Sequence, residues 1–327
     1  MPPRTAHRAT KASERVSESA PDGVRYTASE VAERTGVTLE QAKKLWRALG
    51  FPEAGEEAFF TDADLAALTT LTDILATGII DFDLAVNLTR GVGLTMARLS
   101  DWEVSAMVHH LELLGRASDR PGLPEVAAAV TDEFNQRFEG LLTYAWRRHM
   151  SAALARLEAS EADAVGTTQV TVGFADIVSF TALSNTLTQE KIGDLVELFE
   201  SRCSDVIAVQ QGRVIKSLGD SVLFVNDDPI RAYDTAEGII NVIGRDPRMP
   251  DVRLGLATGS VVTRLGDVFG PPVNMAARLT AVARRNRIII DAATAGLLPD
   301  DQFETRRLPA RPVRGFGIVE PVAVRRH

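Results

Sequence analysis

Cys203 is the one cysteine in 327 residues. A single thiol excludes an intrachain disulfide framework and a cysteine-based zinc site, and it suits a reducing compartment. Cytoplasm is therefore the expected location. No apolar run reaches the roughly 20 residues that a membrane-spanning helix needs. Residues Met1 to Asp22 also lack the apolar core of a signal peptide; rich in Ala, Ser, Arg and Glu, they read as a mobile tail. Positive charge is in deficit. Lys and Arg number 36 against 44 Asp and Glu, a net charge of -8, which argues against general binding to nucleic acid or anionic membranes.

What remains is a globular composition, 45% hydrophobic and 24% charged, long enough for two domains. From Tyr26 the pattern is helical. Thr27 or Ser29 can cap a helix through Arg34. Thr38 can cap a second, Leu39 to Leu49, with Ala42, Leu45, Trp46 and Leu49 on one face. This pair, with the later Phe60 to Leu65 stretch, resembles the opening of MerR-like helix-turn-helix domains. Lys43, Lys44 and Arg47 would then be phosphate contacts. Glu30, Glu33, Glu40, Glu53, Glu56 and Glu57 surround those bases, so packing is the better reading than DNA binding.

Further helices are expected over Asp62 to Ala76, Phe82 to Val92, and Leu94 to Leu114 with breaks. Leu65, Leu68, Leu71, Leu75, Ile79 and Ile80 form their apolar face. His109, His110 and His149 titrate nearest neutral pH, which leaves a proton or small-molecule input to this region open. Pro121, Gly122 and Pro124 interrupt the helices. From Thr131 to about Ala159 a long amphipathic helix follows, suited to pairing with its twin or to packing on its own module.

The second half changes character. Val170 to Phe174 is a short β-branched strand that ends on Asp176, followed by a helix over Gln189 to Gln210. Val214 to Leu218 and Val222 to Val225 are strands around the tight turn Gly219-Asp220. Helix Ile230 to Ile243 and strands Val252 to Ala257 and Ser260 to Arg264 come next. Helix Pro271 to Ala283 and strand Arg287 to Ile290 complete the core, with Val322 to Val324 added at an edge. Strand–helix–strand–strand–helix–strand is the ferredoxin-like order. The fold class expected is α+β: a mixed sheet flanked by helices, preceded by an all-α domain.

This topology sets Asp176 beside Asp220, so both acids can face one cleft. Two carboxylates in a polar loop suit Mg²⁺, which binds few protein carboxylates plus substrate phosphates. Read alone, Asp176 is better taken as the cap of the next turn. Lys216, four residues before Asp220, is a donor aimed at the same region or an ordinary strand lysine. Asn274 and Arg278 share one helix face, where Arg can neutralise phosphoryl charge and Asn can orient an oxygen.

Three stretches taken together carry a resemblance. Phe-Ala-Asp-Ile-Val-Ser-Phe-Thr (174–181), Lys-Ser-Leu-Gly-Asp-Ser-Val-Leu-Phe (216–224) and Gly-Asp-Val-Phe-Gly-Pro-Pro-Val-Asn-Met-Ala-Ala-Arg-Leu (266–279) resemble the signature blocks of class III nucleotidyl cyclases. The resemblance covers about Gln169 to Val324. It implies that Asp176 and Asp220, with the Ile177 carbonyl, bind two Mg²⁺ or Mn²⁺ ions. Lys216 and Asp267 would read the base, Phe180 and Thr181 would join the substrate site, Asn274 would orient the ribose, and Arg278 would act at the α-phosphate. A Lys/Asp pair complements adenine, which implies ATP as substrate and 3′,5′-cyclic AMP and pyrophosphate as products. The site would form between two copies, hence a homodimer. Many relatives carry a Lys-Gly-Lys-Gly-like turn near the end; here it is Arg314-Gly315-Phe316-Gly317, which leaves Arg314 for the triphosphate. The domain plan is tail 1–24, helical regulatory domain 25–124, transmitter helix 125–166 and cyclase domain 167–327. Guanylate specificity, and a non-catalytic sensor or DNA-binding regulator with a degenerate cyclase domain, are the alternatives.

Overall fold

The fold starts from three identical devices at helix starts. Thr27 accepts from the Glu30 amide while the Glu30 carboxylate accepts from the Thr27 amide, and Thr38 with Gln41 and Thr61 with Asp64 repeat the arrangement. Each reciprocal cap satisfies two helix-end donors. They open α1 (Ala28–Thr35), α2 (Leu39–Ala48) and α3 (Asp62–Ala76). The computed structural model describes residues 24–52, 58–117, 123–159, 167–264 and 266–327. The expected N-terminal tail, Glu53, Glu56 and Glu57, and Pro121-Gly122 lie outside the described residues. The chain divides into two units, Met1–Trp146 and Arg147–His327.

In the first unit Val31, Leu45, Trp46, Phe60, Leu68 and Val86 form the core. The Tyr26 amide bonds the Phe60 carbonyl at 2.7 Å, which pins the chain entry to the stretch before α3. Ile79, expected on the apolar face, is 83% exposed because it lies past the end of α3. One helix, α4 (Phe82–Ala117), replaces the two expected. Gly91 and Gly93 weaken a helix without ending it. Gly93 has a packing reason: a Cβ there would stand 2.4 Å from the Leu49 carbonyl oxygen. The long helix α5 (Leu123–Ala159) starts at Leu123 rather than Thr131. Pro124 is no obstacle, because a first-turn proline removes no helical hydrogen bond.

The second unit is built on a mixed sheet. Its strands are β1 (Thr167–Ile177), β2 (Arg213–Ser217), β3 (Ser221–Asn226), β4 (Val252–Arg264), β5 (Asp267–Phe269), β6 (Ile288–Ile290), β7 (Phe303–Arg307) and β10 (Val322–Arg326), in the order β2-β3-β1-β4-β6-β10-β7 with β5 on β4. The β4–β6 pair is parallel and the others antiparallel. β8 (Arg311–Val313) and β9 (Gly317–Val319) form a separate hairpin. Two expectations are corrected. Val322 to Val324 lies inside the sheet between β6 and β7, not at its edge, and β4 is one continuous strand.

Four helices complete the unit among the described residues: α6 (Phe180–Ser184), α7 (Gln189–Val209), α8 (Pro229–Arg245) and α9 (Pro271–Val282), with a short turn of helix, α10 (Ala292–Ala295), after β6. Phe199, Cys203, Ala236 and Ile239 from α7 and α8 pack on Ala175, Phe224, Leu254 and Leu256. Ala276 and Leu279 of α9 cover the other face with Val170, Val172, Val225 and Ala257. Cys203 is fully buried, so it is packing. A buried polar chain runs Thr171–Thr258–Thr294–Asp291, with hydroxyl contacts of 2.8, 2.8 and 2.5 Å. It satisfies groups that would otherwise be costly in the core.

Gly173 of β1 lies under the Phe224 ring, where a Cβ would meet ring carbons at 2.2 Å. Phe224 is fully buried and has no room to withdraw. Gly173→Ala is expected to destabilise this unit by about 1–3 kcal/mol. A denaturant midpoint equal to that of the parent chain would contradict this packing.

Candidate active site

The site is assembled at the end of β1. The Asp176 Cα faces Ser221 of β3 on one side and Arg253 of β4 on the other. The Ile177 amide donates to the Asp220 carbonyl at 2.9 Å, which fixes the β2–β3 turn against the end of β1. Gly219 sits at a φ of 72°, which glycine adopts without strain. Asp176 and Asp220 thus stand together, as the sequence led one to expect. Burial holds the Asp176 carboxyl above the usual carboxylate range, the neighbouring Asp220 charge adds to this, and Arg253 opposes both.

Among the described residues no three His, Cys, Asp or Glu side chains converge. Two carboxylates and a backbone carbonyl are too few to enclose an ion. They fit a hard cation such as Mg²⁺ or Mn²⁺ that completes its shell with phosphate oxygens and water. Asp176, Asp220 and the Ile177 carbonyl would hold it.

A second group forms across β2 and β5. The Lys216 ammonium donates to Asp267 Oδ2 at 2.5 Å, although 51 residues separate them. The other oxygen, Oδ1, accepts from the Val268 amide at 2.9 Å. Lys216 and Asp267 are 35% and 27% exposed, so the pair is reachable from solvent.

The third group is Asn274 and Arg278, four apart on the exposed side of α9. Among the described residues no hydrogen bond or ion pair within the chain engages either side chain. The helix seats closely on the sheet because Gly255 has no side chain; a Cβ there would lie 2.4 Å from the Thr280 amide and 2.5 Å from the Ala276 carbonyl. Phe180 packs its ring against the core below α7 and α8, so its contribution to a ligand would come from its backbone. Thr181 is exposed in the first turn of α6. Arg314 is exposed in the β8–β9 turn, and among the described residues no hydrogen bond or ion pair joins it to the other groups.

One residue escaped the sequence reading. Arg253 places Nε 2.7 Å and Nη2 2.6 Å from Asp176 Oδ2, and Nη1 3.1 Å from the Ala281 carbonyl at the end of α9. Only the register of β1 on β4 sets it opposite Asp176, and register is not visible in either strand alone.

The model of the adenylate and guanylate cyclase catalytic domain matches residues 163–324. An adenylate cyclase of Streptomyces coelicolor is 34% identical over 331 aligned residues, covering 91% of this chain and 85% of that protein. This chain belongs to the class III cyclase family. An adenylate cyclase of Glutamicibacter nicotianae is 36% identical over 316 residues, covering 89% of this cyclase and 76% of its own length. Both similarities run far beyond the catalytic domain into the helical half. Among solved structures, the adenylyl cyclase CyaB from P. aeruginosa aligns with 49% of this cyclase and 96% of its own chain, at 23% identity and a TM-score of 0.44.

Of the helix-turn-helix-like bases of this cyclase, Lys44 is engaged within its own unit. Lys44 pairs with Asp83 at 3.2 Å and stands over the Phe82 ring. His109, His110 and His149 are exposed. No helix among the described residues is long and apolar enough to cross a membrane.

Proposed function

We propose that this cyclase is an adenylate cyclase. It converts ATP to 3′,5′-cyclic AMP and pyrophosphate by attack of the ribose 3′-oxygen on the α-phosphorus. The observation that carries the choice of ATP is the Lys216–Asp267 pair. Adenine offers a ring-nitrogen acceptor and an amino donor; an ammonium and a carboxylate side by side present the complement. Guanine offers the opposite polarity. The names of the relatives agree with this choice.

Asp176, Asp220 and the Ile177 carbonyl would hold two divalent ions, Mg²⁺ or Mn²⁺, which would supply activation of the attacking oxygen and charge neutralisation at the leaving one. Asn274 orients the ribose. Arg278 offsets charge at the α-phosphate, and Arg314 serves the triphosphate with the backbone at Phe180 and Thr181. Catalysis is then positioning and electrostatics rather than covalent chemistry. The site is shared by two copies of the chain. Residues 25–124 act as the regulatory domain, and 125–166 carry the signal to the catalytic domain at 167–327. A cytoplasmic location fits the lone buried thiol.

The test is cyclic AMP formation from ATP with Mn²⁺ by the full chain, with GTP as competitor. Lys216→Glu is expected to lower kcat/KM for ATP by about 10²-fold or more, since the altered site leaves polar groups of the base unpaired. Equal use of GTP by the parent chain would overturn the ATP assignment.

A further inference from the structure

The acids of the metal site already have a cation. Arg253 lies in register with Asp176 across β1 and β4, on the sheet face that α9 covers. Two nitrogens of its guanidinium share the single oxygen Oδ2, at 2.7 and 2.6 Å. The third nitrogen reaches the Ala281 carbonyl at 3.1 Å. The side chains of Arg253 and Asp176 are 30% and 17% exposed, so water screens this contact only in part. Asp220 stands next to Asp176 and adds a second negative charge. Two acids held this close repel each other unless a positive charge lies between them or beside them.

A divalent ion at Asp176 and Asp220 meets Arg253 in two ways. It needs carboxylate lone pairs, and the guanidinium takes those of Oδ2 and leaves it only Oδ1. It also approaches a fixed positive charge within a few ångströms, which weakens its binding. The ion and the guanidinium therefore compete for one carboxylate.

We propose that Arg253 is the internal counter-cation of the metal acids, and that divalent metal binds by displacing its guanidinium from Asp176. This rests on the reading of Asp176 and Asp220 as metal ligands. Because the same guanidinium also holds the last turn of α9, its displacement slackens the tie between the metal acids and the helix that carries Asn274 and Arg278. Metal loading is thereby linked to the seating of that helix.

The experiment is a titration of the full chain with Mn²⁺ in the absence of nucleotide, with free Mn²⁺ counted by its electron spin resonance. Arg253→Met is expected to bind Mn²⁺ about tenfold more tightly than the parent chain, since a fixed positive charge near a divalent site has been removed. Arg253→Lys keeps the charge and should stay within about threefold of the parent. Asp220→Asn is the control and should lose the binding. If Asp220→Asn loses it while Arg253→Met binds equally or more weakly, the counter-cation role is overturned and the metal reading stands. If Asp220→Asn binds as the parent does, the metal reading itself fails. Should Arg253→Met not fold, the Arg253 Nε–H proton signal of the parent chain, identified by its loss in Arg253→Lys, decides. It should leave its carboxylate-bonded position as Mg²⁺ saturates, and a signal that stays in place overturns the proposal.

Discussion

Asp220→Ala should lower cyclic AMP formation by at least about 10³-fold with little loss of stability. Stabilising the charge that develops in phosphoryl transfer contributes several kcal/mol, and about 4 kcal/mol corresponds to that factor. Asp220 is half-exposed in the β2–β3 turn, and its contribution to the fold is its backbone carbonyl, which takes the Ile177 amide at 2.9 Å. Alanine keeps that bond, and Gly219 keeps the turn. Asp176→Ala should be equally inactive but less stable. It leaves the Arg253 guanidinium, only 30% exposed, without its carboxylate, and a half-buried donor stripped of its partner is costly. Initial rates with Mn²⁺ and thermal midpoints of both variants separate the two contributions. Activity of Asp220→Ala within tenfold of the parent would remove Asp220 from the proposed metal site.

The site was legible where chemistry is local. Asn274 and Arg278 share a helix face by their spacing alone, whereas Asp176 and Asp220 were set side by side by the expected strand order. Lys216 and Asp267 were named from the family pattern, and the fold brings them to 2.5 Å. Arg253 was not legible, because its role depends on a partner 77 residues away that only strand register selects. The helix starts were legible for the same local reason, since Thr27-x-x-Glu30 and Thr38-x-x-Gln41 are complete in four residues. β7 was not. Phe303–Arg307 has one buried residue followed by four exposed ones, a charged edge strand that reads as a loop. Missing β7 is also why β10 was placed at the edge: nothing remained to pair with its far side. The break expected in α4 had a different cause. Helix propensity sets a local penalty on Gly91 and Gly93, while the Gly93–Leu49 packing that offsets it is tertiary.

Chains carrying Asp220→Ala and chains carrying Arg278→Ala should each be nearly inactive, and mixing them should restore activity. Arg278→Ala alone is expected to lose about 10²–10³-fold, the effect of removing one positioned charge from a transition state. Arg278 and Asn274 are exposed on α9, and among the described residues no hydrogen bond or ion pair within the chain joins them to Asp176 or Asp220. In a two-fold dimer with shared sites, the acids of one copy work with the α9 residues of the other. A mixed dimer then has one site with both defects and one with none. Equal amounts exchanging at random make half the dimers mixed, so activity should reach about a quarter of that of the parent chain. If each site lay within one chain, every site in the mixture would carry one defect and no activity would return. Mass measurement of mixed dimers, with one chain tagged, must show that exchange has occurred. Mixed dimers without activity would place both groups in one chain and overturn the shared site, whereas recovery would also explain how movement of one copy against the other could control the rate with every catalytic side chain intact.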